Sequence, residues 1–171
     1  MTFSQSLLPE FDEEMKNTRK LLDCVPDGKF EYQPHPKSMS LGRLASHVAE
    51  LPHWACVTLE HEVFELKPDF KPHVAADRAE LLRIFDESVV KARADISAAT
   101  DEDWQKTWTF KYDGKVVMSM PRAAVMRSVV MNHLIHHRAQ LGVFLRLNDV
   151  AIPGMYGPSA DEQVMWQAQP A

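Results

Sequence analysis

The sequence has no apolar run approaching the roughly 20 residues that cross a bilayer, no excess of basic residues, and only two cysteines, Cys24 and Cys56. Each absence excludes a class of protein. Without the apolar run, a membrane span is not expected. Lys and Arg number 19 against 24 Asp and Glu, for a formal charge of -5. A phosphate backbone or an anionic lipid surface offers such a chain little, so neither nucleic acid nor membrane is expected as a partner. Two cysteines outside any CxxC pair cannot build a disulfide scaffold and fit a reducing compartment. The opening MTFSQSLLPEFDEEM lacks the basic and apolar regions of a secretory leader, and the expected location is cytoplasmic. Internal repeats, heptad arrays and low-complexity tracts are missing as well.

What is present is an ordinary globular composition, 45% hydrophobic and 25% charged over 171 residues, which points to one folded domain over 1–171. Phe3, Leu7, Leu8, Phe11, Met15, Leu21 and Leu22 recur at helical spacing and predict an amphipathic helix over 3–24. Pro26, Gly28, Pro34 and Pro36 then break the pattern. A second helix, capped by Ser38 or Ser40, carries Leu41, Leu44, Val48, Leu51, Ala55 and Leu59 on one face. It runs to about His61 or Glu62 with a kink at Pro52. The connection over 65–76 is long enough to cross the end of a bundle. Asp77 and Glu80 predict a capping box for a third helix ending near Thr100.

TWTFKY and KVVMSM flank Asp113 and Gly114, a pair suited to a type I′ hairpin turn. Pro121 fits the first turn of a fourth helix, which continues to Ala139 and on to about Leu147. NDVAIPGMYGPSADE is too rich in Pro and Gly for a helix, and its AIPGMYGPSADE part is expected to fold back over the bundle on Ile152, Met155 and Tyr156. The expected fold is all-α: a four-helix bundle with crossover connections and a small β-hairpin excursion before the last helix.

Histidine is the unusual component, with eight. In MNHLIHHRAQ, His133 and His137 are four apart and can direct two ring nitrogens at one ion. Met126, Val130, His133, His137 and Leu141 share one stripe, expected to face the bundle axis, whereas His136 falls on the adjacent stripe of Val125, Val129, Asn132 and Val143. A third ligand must come from another helix, and His47, among Leu44, Val48 and Leu51, is the best placed. His53 lies opposite His47, His61 near a helix end, and His35 and His73 in loops. Three neutral imidazoles leave zinc or nickel with open positions. The competing reading is three core histidines with satisfied nitrogens, since HxxxH alone is a weak pattern. Trp54 reads as core packing and Cys56 as an inert buried thiol.

LGRLASHVAELPHW, NHLIHHRAQLGVFLRL and AIPGMYGPSADE, in that order and spacing over nearly the whole chain, resemble the DinB family, also called the DinB/YfiT-like proteins. The resemblance implies a four-helix bundle with crossover connections, a homodimer, and a metal site at His47, His133 and His137. Ala139 stands where the family commonly has Gly, a change bearing on helix packing more than on ligation. Some relatives are thiol-dependent transferases or isomerases.

Three functions follow as expectations. The first is a metal-dependent transferase that activates a low-molecular-weight thiol cosubstrate as thiolate against a small electrophile. The second is metal-assisted hydrolysis of a small-molecule substrate, for which Glu50, one turn from His47, is the weak candidate base. The third is a non-catalytic, stress-associated metal-binding homodimer, its partner surface a second apolar stripe of Val125, Val129, Val143 and Leu147. A metal with no fourth protein ligand favours a catalytic over a structural role.

Overall fold

The structure, a computed structural model, describes residues 1–167; residues 168–171 of the expected 1–171 span lie outside the described residues. Helix α1 covers Phe3–Leu22, opened by a capping box in which the Thr2 hydroxyl accepts from the Gln5 amide and the Gln5 side chain accepts from the Thr2 amide. It stops two residues before the expected Cys24. Ser40 caps α2, Leu41–Glu50. Where one kinked helix was expected, the helix is interrupted at Leu51 and Pro52, and α3 starts afresh at His53–Glu60. Pro52 has no N–H for the Val48 carbonyl, and here that loss ends one helix.

A strand not foreseen, β1 (Val63–Leu66), follows at once. Helix α4, Arg78–Ala98, begins as expected at Asp77, whose carboxylate accepts from the Glu80 amide at 2.8 Å. The return half of the box is displaced, because the Glu80 carboxylate accepts from the Ala76 amide at 2.7 Å. After the short α5 (Asp101–Gln105) come β2 (Thr107–Tyr112) and β3 (Lys115–Pro121). Asp113 (φ 47) and Gly114 (φ 76) both adopt the left-handed conformation that a type I′ turn requires. The sheet has three strands in the order β1-β2-β3, with β1 parallel and β3 antiparallel to β2. Pro121 ends β3 opposite Thr107, one step before the helix it was expected to open.

The last long helix is continuous but not uniform. It runs as α6 (Arg122–Val125), a π-helical segment (Met126–Asn132) and α7 (His133–Arg146). The wide π turns hold an extra residue, so the side that faces the core shifts along the sequence by one position. The buried ladder reads Met126, Val130, Leu134, Arg138, Leu141 and Leu145, whereas uniform α-helical spacing predicts His133 and His137 on it. Both histidines are half-buried on the flank next to that ladder. The surplus apolar stripe divides as well: Val125 is buried, while Val143 and Leu147 are each 58% exposed.

Helices α1, α2 and α3 all pack on α4, and α7 closes against α1 and α2. The described chain is thus mostly helical with a small sheet beside the helices. None of its helices is long and apolar enough to cross a membrane. Between α1 and α7 lies a buried ion pair, Glu14 to Arg138 at 2.6 Å, with the two residues 6% and 2% exposed. Arg138 also donates to the Glu14 carbonyl and the Thr18 hydroxyl, each at 3.1 Å. The Tyr156 hydroxyl accepts from Arg138 at 2.7 Å and donates to the Glu14 carboxylate at 2.9 Å. That tie brings the segment after α7 back over the helices, with Ile152 and Met155 against the core. Its end departs from expectation, because Ala160–Gln167 forms a helix, α8. Asp161 in its first turn pairs with Arg146 and accepts from the Ile152 amide.

Removing one partner of a buried pair strands the other charge, whereas removing both leaves an apolar contact. Glu14→Leu should therefore cost about 3 to 5 kcal/mol in urea unfolding. The double variant Glu14→Leu, Arg138→Met should recover most of that loss; equal destabilisation of the two would refute it.

Candidate metal centre

Helix α2 brings His47 to the flank of α7 on which His133 and His137 stand. The three half-buried side chains place one potential ligand atom each within 4.8 Å of one another, the arrangement a metal ion can occupy. Their ring centroids lie 5.0, 4.7 and 4.6 Å apart. The helical step accounts for the pair on α7, since residues four apart stack on one face.

The outer nitrogens decide what the inner ones can do. His47 Nδ1 lies 2.8 Å from Glu50 Oε1, His133 Nδ1 3.2 Å from the Val129 carbonyl, and His137 Nδ1 2.7 Å from Gln140 Oε1. Each partner is an acceptor, so each neutral ring carries its proton on Nδ1 and presents the Nε2 lone pair inward. His47 Nε2 and His133 Nε2 are only 3.3 Å apart. Two lone pairs at that distance repel unless a cation sits between them, and two nitrogens at roughly 2.0 to 2.1 Å from a tetrahedral zinc stand about 3.4 Å apart. The donor set and its spacing fit such an ion.

Glu50 therefore stands behind His47, where it also meets Arg43 at 3.5 Å. Gln140 and the Val129 carbonyl were not singled out from sequence, although Gln140 follows His137 at the same three-residue interval as Glu50 follows His47. His136 is exposed, with its ring 4.8 Å from that of His137, and is not in the cluster. His35, His53, His61 and His73 are exposed and are not in the cluster. Cys56 is fully buried, and burial, then Asp95, pushes its thiol up to about 12, which removes it as a nucleophile. Trp54 packs edge-on to Phe64 at 4.9 Å, joining α3 to the sheet.

The model of the DinB family matches residues 1–168. The chain belongs to the DinB family. Solved structures of similar shape agree. A DinB-like protein from Bacillus cereus is 25% identical with a TM-score of 0.68, covering 91% of this chain and 98% of its own. A DinB-like protein from Bacillus subtilis is 19% identical with a TM-score of 0.66, covering 88% and 96%. A member from Exiguobacterium sibiricum is 20% identical with a TM-score of 0.60, covering 94% and 98%. No curated protein matches the chain. The DinB fold thus accounts for nearly the whole sequence, with the three histidines at the junction of α2 and α7.

Burial, then the neighbouring His47, lowers the pKa of His133, and burial brings His137 down to about 4 against the opposing effect of its bond to Gln140. Both rings are neutral at pH 7, the form a metal requires. Between the unfolded value near 6.5 and about 4, the unfolded chain binds protons that folded His137 does not. This contribution to stability is therefore complete above about pH 6.5 and is lost as pH falls towards 4. In metal-free protein the urea midpoint should fall across that window, and His137→Gln should flatten the fall; an unchanged slope would reject the assignment.

Proposed function

We propose that this DinB-family chain is a metal-dependent enzyme in which His47, His133 and His137 hold one divalent ion, zinc or nickel, through Nε2. The observation that carries this reading is the set of three outward Nδ1 contacts, which leaves three lone pairs converging and two of them 3.3 Å apart. Metal-ligating histidines are oriented in this way by carboxylates and carbonyls behind them. With three protein ligands and no fourth cysteine, histidine or carboxylate in the cluster among the described residues, the site is open, as catalytic ones are.

The reaction we assign joins a low-molecular-weight thiol to a small electrophile: the S–H group gives up its proton to solvent, and sulfur bonds to the electrophilic centre as the leaving group departs. When bound, the ion lowers the pKa of a coordinated thiol and so supplies a nucleophile near neutral pH. The chain's own residues hold the rings: Glu50 fixes His47, the Val129 carbonyl fixes His133, and Gln140 fixes His137. Metal-assisted hydrolysis ranks second, because it needs a base and Glu50 Oε1 is engaged with His47 Nδ1. In this reading the long helices form the four-helix bundle with crossovers, in one domain. The enzyme works in the cytoplasm as a homodimer, for which exposed Val143 and Leu147 supply apolar surface.

Untagged protein should contain one ion per chain by elemental analysis. His133→Ala should abolish it and His136→Ala should keep it; loss in His136→Ala with retention in His137→Ala would overturn the ligand set. Glu50→Ala should weaken metal affinity by roughly 10- to 100-fold. Chelation should leave the helical circular dichroism nearly intact and stop thiol consumption in a screen of electrophiles. Global unfolding on chelation would instead identify a structural ion.

A further inference from the structure

A cleft of about 310 Å³ opens beside the histidines, between α7 and the loop that leads into α2. His137 and Gln140 form the wall it shares with the metal centre, and Leu44, Met39 and Phe144 supply apolar surface. Lys37 and Ser38 complete the lining. Among the described residues no carboxylate lines the cleft, although the chain as a whole carries a formal charge of -5. Among the described residues the Lys37 ammonium has no acidic partner within 4.0 Å, whereas eleven other lysines and arginines do. The Ser38 hydroxyl makes no hydrogen bond within the described protein, and Gln140, having given Oε1 to His137, retains its amide N–H groups as donors.

The loop that carries these donors is held in place. The Leu41 amide donates to the Tyr32 carbonyl at 2.8 Å, and Gln33 Nε2 to the Ser38 carbonyl at 2.5 Å. A Cβ at Gly42 would meet the Phe30 ring at 2.6 Å, so the close seat of the loop on α2 depends on glycine. Cation, hydroxyl and amide donors together with apolar surface, beside a reactive centre, make a receptor for a small organic anion.

We propose that this cleft is the substrate pocket and that the substrate carries a carboxylate-type anionic group, received by Lys37, Ser38 and Gln140, with its apolar body against Met39, Leu44 and Phe144. The assignment of the cleft to a reaction rests on the metal reading above, but its preference for anions does not depend on a metal. Either the thiol or the electrophile can carry the anion.

The first measurement uses metal-free protein, titrated with benzoate and with uncharged benzamide and followed by amide shifts in two-dimensional NMR. Benzoate should bind about fivefold or more tighter than benzamide, shifting Ser38, Met39 and Phe144, and Lys37→Gln should abolish the difference. Equal binding of the two probes, or a preference that survives Lys37→Gln, overturns the proposal whether or not the histidines bind metal. The second measurement uses cobalt-loaded protein and its visible spectrum. A Lys37-dependent preference for 3-mercaptopropionate over 2-mercaptoethanol assigns the anion to the thiol, and benzoate binding beside saturating 2-mercaptoethanol assigns it to the second substrate. If neither is seen with cobalt bound, the cleft is not the substrate pocket; if cobalt does not bind, the metal reading fails while the benzoate result still stands.

Discussion

The buried pair of Glu14 and Arg138 sets the geometry on which the site depends. Arg138 is the residue after His137, and its guanidinium meets the Glu14 carboxylate and carbonyl, the Thr18 hydroxyl and the Tyr156 hydroxyl. A guanidinium bound on several sides can neither rotate nor slide without stranding a charge in a low-dielectric interior. It thereby fixes the rotation of α7 about its axis, and with it the direction in which His133 and His137 face. The same pair binds the segment after α7 through Tyr156, so one polar cluster joins both ends of the chain to the helix that carries the histidines.

A second layer of constraint acts on the imidazoles. A histidine on a helix flank has free choice of tautomer and ring orientation until its outer nitrogen is claimed. Here a carboxylate, a backbone carbonyl and a side-chain amide make that choice three times in the same sense. The Val129 carbonyl belongs to the π-helical segment, where the regular i to i−4 ladder is broken and a carbonyl can turn to a side chain. The irregular segment thus also supplies the acceptor behind His133.

Much of this was legible in the sequence, for identifiable reasons. The cap at Asp77 and the Asp113-Gly114 turn are local chemistry, complete within four residues, and the structure has them where the sequence places them, while of Ser38 and Ser40 it is Ser40 that caps α2. His47, His133 and His137 were singled out, and they are the three brought together. Uniform helical phase nonetheless misleads in one respect. It puts the two histidines of α7 on the core ladder, and the extra residue in the π segment gives that place to Leu134 and Arg138. The pair was found because the four-residue spacing holds within α7, after the irregularity. Arg138 and β1 were missed for a common reason: each takes its place through partners distant in sequence, Glu14 for one and β2 for the other, and no local pattern reports them. The helix at Ala160–Gln167 was concealed by the Pro and Gly that precede it.

The one-residue offset also separates two duties that a regular helix would have forced onto one face. Leu134, Leu141 and Leu145 are sealed in the interior, while the histidines stand beside them at the junction with α2. Packing and site can then vary independently: the histidines can be exchanged or lost without repacking the hydrophobic centre. A scaffold of this kind can keep its shape while the groups displayed on its flank change.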